Sequence, residues 1–196
     1  NLERLQSVQQ QLKSESSIYQ VDLGSSDEIK NFIIKAKSDL SDGLSVLVNN
    51  AGYWVPGTFA GNDLQSDAAA NQTMVTGVAE LTHLFLYEMI KNKNGAVINI
   101  ASIAGLIPST AGHTLYGAVK SWMIHFSEAL AAELASSKIK VIAVCPGFTY
   151  SEFHDVTGTR KTVSKLPKLF WLSAEDVAEE SITAVHKREP GETSIF

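Results

Sequence analysis

Three stretches of this chain are apolar almost throughout: "LSVLVNNAG" (44–52) up to its turn, "GAVINIAS" (95–102) and "KIKVIAVCPG" (138–147). A strand with one wet face alternates apolar and polar residues, whereas a strand apolar on both faces is covered on both. Such strands belong to parallel sheets layered between helices. The spaces between them are long enough for helices and carry helical patterns. The spacing predicts helices over 66–92 and over the alanine-rich 114–136. Ser25 and Glu28 open a helix over 25–40 in a capping-box arrangement, and "SAED" at 173–176 caps another to about Lys187. Leu2, Leu5, Val8 and Leu12 give residues 1–13 an amphipathic helical pattern. "SIYQVDL" (17–23) reads as a further short strand, and "ETSIF" at 192–196 as the start of a last one. The fold class is therefore α/β, a doubly wound parallel sheet in a single domain spanning 1–196.

Ligands of such sheets bind beyond the carboxyl ends of the strands. The unusual residues fall at those ends: Asp22, then "NNAG" (49–52), "SIAG" (102–105) and "PG" (146–147). Composition narrows the classes of function. The 196 residues carry a net charge of −5 with no dense basic run, which argues against a nucleic-acid footprint. Cys145 is the single cysteine and lies in an apolar run, so it reads as a small buried hydrophobe and no internal disulfide is expected. No metal site is expected. Neither an apolar run of membrane-spanning length nor a signal-peptide pattern is present, so a soluble cytoplasmic protein is the expectation. The first residue is Asn1, and the chain is expected to be a piece of something longer.

Beyond "SIAG" comes "YGAVK" (116–120), which places Tyr116 and Lys120 four residues apart on one helix face. A phenol titrates near about 10, too high for efficient proton transfer at neutral pH, and a nearby ammonium favours the phenolate. Ser102 at the preceding strand end offers a hydroxyl that could hold a substrate oxygen beside the phenol. The trio suits carbonyl reduction or alcohol oxidation. Taken alone, the spacing equally describes a half-buried tyrosine beside a solvated lysine.

The ordered set "VDL" (21–23), "NNAG", "SIAG", "YGAVK" and "PGFTYS" (146–151) resembles the short-chain dehydrogenase/reductase family in its NAD(P)-dependent branch, over residues 1–185. The resemblance implies an oxidoreductase interconverting a carbonyl and an alcohol with NADP or NAD, leaning to NADP. It implies Tyr116 as acid/base, Ser102 orienting the substrate oxygen, and Lys120 holding the nicotinamide ribose while depressing the phenol pKa. Asp22 would meet the adenine. Asn49, Ala51 and Gly52 would support the central strand and line the adenosine side. Pro146, Gly147 and Ser151 would frame the nicotinamide. The two long helices resemble those that form homodimers and homotetramers in the family.

Two departures accompany the resemblance. The family's T-G-x-x-x-G-x-G turn, where pyrophosphate meets backbone N–H groups, does not occur in these residues, and neither do its first two strands. Met74 stands where the family has an asparagine that holds a relay water, and a thioether is a poor substitute. Asn71, one turn earlier, is either a partial replacement or helix surface. The alternative reading is thus an inactive relative or fragment acting as a binding or scaffold protein. The apolar segments "FTYSEFHD" (148–155) and "LPKLFWL" (166–172) suggest an apolar substrate or a lid. His154 reads as a solvated loop residue before a substrate contact.

Overall fold

A computed structural model of the chain describes residues 1–40, 43–165, 167–190, 192 and 194–195. Helix α1 (Leu2–Gln11) and helix α2 (Ser26–Asp39) come first. Strand β1 (Val46–Asn49) follows, then α3 (Leu64–Asn71), which passes through a π-helical turn (Gln72–Thr76) into α4 (Gly77–Asn92). Strand β2 (Gly95–Ile100), a 3-10 turn (Ile103–Gly105) and the long α5 (Thr114–Glu133) lead to β3 (Ile139–Val144). The chain then makes β4 (Phe148–Tyr150), the one-turn helices α6 (Phe153–Val156) and α7 (Arg160–Val163), β5 (Trp171–Ser173), α8 (Ala174–Lys187) and β6 (Ser194–Ile195).

The main sheet is parallel, in the order β1-β2-β3-β6. Its period-two pattern sorts the residues by face. Val97 and Val141 pack with Met89 of α4 and Ala131 of α5, while Ile98, Ile142 and Val144 pack with Val177, Ala184 and Val185 of α8. Both faces of β2 and β3 are thus covered, which is why these strands are apolar throughout. Helix α2 docks Ile29, Ile33 and Ala36 on Leu81 and Phe85 of α4.

The caps form as read, with one variation. The Ser25 hydroxyl accepts from the Glu28 N–H at 3.3 Å and that of Ser173 from the Asp176 N–H at 2.9 Å. The Glu28 carboxylate, however, accepts from the Asp22 N–H at 2.8 Å, tying the helix start to the segment before it.

Residues 17–23 are the correction to the reading. The segment runs without a ladder partner among the described residues. Val21 and Leu23 still pack on the α2–α4 cluster. A strand needs a neighbour as well as a pattern, and β1, the nearest strand in sequence, pairs with β2. The residues 192–196 do contribute, through Ser194 and Ile195 paired to Ile142 and Ala143; Thr193 and Phe196 lie outside the described residues, as does Leu166 of the second apolar segment. Among the described residues no helix is long and apolar enough to cross a membrane.

Candidate active site

The carboxyl ends of β2 and β3 and the first two turns of α5 meet at one place. The Ile103 N–H donates to the Pro146 carbonyl at 3.2 Å, locking the turn after β2 to the end of β3. Gly105 then lets that turn lie directly on α5: a Cβ there would stand 2.6 Å from the carbonyl carbon of Lys120 and 2.7 Å from the nitrogen of Ser121. Only a residue without a side chain tolerates that approach. This contact sets Ser102 beside Tyr116.

Ser102 is half-buried and its Oγ accepts from the Ala104 N–H at 3.2 Å. The Tyr116 ring is walled by Trp54 at 6.1 Å and Phe153 at 5.8 Å between centroids. Burial pushes the Tyr116 phenol above its ordinary value, and the nearby Ser102 hydroxyl acts in the opposite direction. The expected influence of Lys120 is not what governs this phenol. The Lys120 ammonium donates to the Ile100 carbonyl at 2.7 Å and lies 5.8 Å from the centre of the Tyr116 ring. It is 6% exposed, and burial pushes its pKa down to about 8. A buried ammonium for which one carbonyl partner is found among the described residues is itself short of compensation. Cys145 is buried next to this group, and burial pushes its thiol up.

The other residues divide. Asp22 is exposed, its Oδ1 accepts from the Gly24 N–H at 2.8 Å, and its charge acts on Tyr53, so it lies on the NNAG side of the cleft. Ala51 is exposed, and Gly52 lies against Met74 and near Lys120. The Asn49 side chain turns into the core: its amide donates to Asn99 at 2.8 Å and to Thr82 at 3.1 Å, and Asn99 in turn donates to Ser127 at 2.8 Å. A Cβ on Gly147 would meet nothing within 4 Å, so this strand end borders open space. Ser151 is exposed and its hydroxyl is engaged within its own loop, accepting from the Phe153 N–H at 3.4 Å.

Met74 is 2% exposed, packed with Ala70 and Val119. His154 is a correction. It is 8% exposed rather than solvated, held among Phe148, Phe153 and Trp171, with its Nδ1 3.1 Å from the Thr159 hydroxyl. The short parallel pair β4–β5 brings Trp171 onto Phe148 and Tyr150, and the histidine fills the space beneath.

A shallow groove, open to solvent and with a water-accessible volume of about 20 Å³, runs from Tyr116 along α3, and its walls include Tyr53, Trp54, Phe59, Asp67 and Asn71. Of these, Tyr53, Trp54, Phe59 and Asp67 went unremarked in the sequence; the available signal was the helical spacing of Asp67, Ala70, Asn71 and Met74. The arrangement can do specific chemistry. The half-buried phenol carries its proton at neutral pH and can hand it to an oxygen that Ser102 also reaches, although its upward shift makes it a weaker acid.

The residues fit the nicotinamide end of a dinucleotide. An ammonium has three donors, and among the described residues the carbonyl of Ile100 is the one acceptor found for Lys120, leaving donors for the hydroxyls of a ribose. Gly147 leaves room beside it. No glycine-rich turn for a pyrophosphate occurs in these 196 residues.

Most of the chain is similar to known proteins. The family model described as short chain dehydrogenase matches residues 1–161. Nodulation protein G of Rhizobium meliloti is 34% identical over 154 residues, covering 79% of this chain and 62% of that protein. A 3-oxoacyl-[acyl-carrier-protein] reductase of Synechocystis sp. is 31% identical over 164 residues, covering 84% of this chain and 66% of that one. The chain thus spans a little under two thirds of these relatives' lengths. Among solved structures, the closed form of serine dehydrogenase complexed with NADP+ superposes with a TM-score of 0.84 at 26% identity, covering 98% of this chain and 78% of that chain.

Proposed function

This chain belongs to the short-chain dehydrogenase family, and on that premise we propose that it is an NAD(P)-dependent oxidoreductase interconverting a carbonyl and an alcohol. The observation that carries the reading is the convergence of Ser102, Tyr116 and Lys120, fixed by the contact of Gly105 with the backbone of α5. When bound, the nicotinamide supplies or accepts hydride at the substrate carbon. Ser102 donates a hydrogen bond to the substrate oxygen, and Tyr116 delivers the proton. Lys120 and Pro146–Gly147 face the nicotinamide and its ribose, and Asp22 the adenosine side. NADP is favoured over NAD by the NADP+ complex of the serine dehydrogenase. The aromatic lid suits a substrate with an apolar body.

One observation favours a second reading, a catalytically impaired relative: Met74 fills the site beside Lys120 with a group that cannot relay protons. Turnover of NADPH against a panel of ketones and aldehydes decides between them. The Tyr116→Phe variant abolishes the turnover of the parent chain; undiminished activity in that variant overturns the assignment of the acid. Calorimetric titration with NADPH that shows binding without any turnover supports the second reading.

A further inference from the structure

Asp67 is not used by the chemistry just proposed. It is 5% exposed, and it is the one acidic side chain among the described residues that line the groove. One hydrogen bond to its carboxylate is found among the described residues, from Asn62 Nδ2 to Oδ1 at 3.3 Å, a long one. A carboxylate shielded from water is stable only when paired or well hydrogen-bonded, and this one is short of partners on the protein side. Its place in the first turn of α3 favours an acid through the helix dipole, but that preference is met equally at an exposed position.

The surroundings are of one kind. Tyr53, Trp54 and Phe59 line the same groove as this negative group, and the Trp54 ring is stacked on His113 at 4.3 Å between centroids. Rings and a carboxylate in one groove recognise positive charge: the carboxylate attracts it and the ring quadrupoles add to the attraction once water is excluded. Asp67, Ala70, Asn71 and Met74 share a helix face, so Asp67 lies two turns, roughly 10 Å, from Met74. Met74 lies at the end where Gly52 and Lys120 meet.

We propose that Asp67 is a substrate-recognition residue and that the natural substrate bears a cationic amino group at the end away from its reacting carbon. The cation sits between the Asp67 carboxylate and the aromatic wall, with the carbonyl or alcohol at Ser102 and Tyr116. This deepens the oxidoreductase reading and rests on it only for the position of the reacting end.

Binding of choline and of its neutral isostere 3,3-dimethylbutan-1-ol to the full chain tests it, followed by tryptophan fluorescence and calorimetry without cofactor or turnover. The parent chain binds choline at least about tenfold more tightly than the neutral probe. The Asp67→Asn variant keeps an oxygen for Asn62 to donate to and loses the charge; it erases the difference while binding the neutral probe as before. Equal affinity of the parent chain for the two probes overturns the proposal, as does undiminished choline binding by Asp67→Asn. Should that variant not fold, the two-probe comparison on the parent chain decides alone. Because no reaction is read, a loss here is separable from a failure of the Tyr116 assignment.

Discussion

The thioether of Met74 and the ammonium of Lys120 share the space over Gly52: a Cβ at Gly52 would stand 3.0 Å from the sulfur and 4.0 Å from Nζ. The sulfur has no proton to give and is a weak acceptor, so it supports no path from Lys120 to solvent. The π-helical turn over Gln72–Thr76 carries Met74 to this place, and such turns often mark functional sites. Replacing Met74 by asparagine puts an amide beside Nζ that can hold a water. NADPH-dependent turnover by Met74→Asn exceeds that of the parent chain several-fold, with Met74→Leu as the inert control. Its stability falls by about 1–3 kcal/mol from the buried amide. Equal turnover in all three chains removes Met74 from the proton path.

Lys120 makes stability depend on pH in a definite direction. Its folded pKa is about 8, against 10.5 in the unfolded chain. Below pH 8 both states carry the proton, and the cost of burying the charge is present in full. Between 8 and 10.5 the unfolded chain binds a proton that the folded chain does not, so stability rises with pH, by roughly 3 kcal/mol at most across the window. Cys145 and Tyr116 are shifted upward by burial and act in the opposite sense at higher pH. Comparison with Lys120→Met cancels them. Urea unfolding at pH 7.5, 9 and 10.5 shows the parent chain gaining on the variant across this range; a constant difference removes the buried-ammonium account.

The sheet and the helices were legible because burial on both faces leaves no choice of residue at Val97, Ile98, Val141 and Ile142, all buried in the core. Three of the four strand ends were legible for the same reason; Asp22 ends no strand of the sheet among the described residues, and β1, apolar like β2 and β3, leaves Val46 and Val48 exposed. What stayed hidden depended on partners rather than pattern. "SIYQVDL" has a strand's composition, yet pairing is a property of two segments. Tyr116 and Lys120 share a helix face as expected, but the ammonium is drawn to the Ile100 carbonyl at the end of β2, so the direction of the phenol's shift is set by burial. Periodicity could not show that Asp67 faces a groove or that His154 is enclosed by rings, because the enclosing residues come from distant parts of the chain.

Asn49, Asn99, Thr82 and Ser127 form a buried polar chain from β1 across β2 to α4 and α5, closed by the Ser127 hydroxyl donating to the Met123 carbonyl at 2.7 Å. Asn99 is its hub, both accepting from Asn49 and donating to Ser127. Asn99→Ala and Asn49→Ala each remove two of these buried hydrogen bonds, sharing the one between them, and each destabilises the protein by about 2–4 kcal/mol. Chemical denaturation of the two single variants and the double variant checks this. Additive losses contradict a connected network.

His154 provides a handle on the lid. Its pKa is lowered below 6.5, first by burial and then by the positive charge of Arg160, with Asp155 acting the other way. Arg160 also donates to Asp155 at 2.8 Å, and the histidine ring lies 5.5 Å from Trp171. As pH falls below 6.5 the unfolded segment takes up a proton that the folded one resists, so the folded arrangement loses stability there. Acidification from pH 7 to 5 therefore loosens the packing around Trp171 and shifts its emission to the red. His154→Phe keeps a ring among the aromatics without the titrating group, and the shift is absent. A Trp171→Phe chain serves as the blank for the other two tryptophans. An acid-induced shift of equal size in His154→Phe assigns the response to another group and leaves this histidine a purely packing residue.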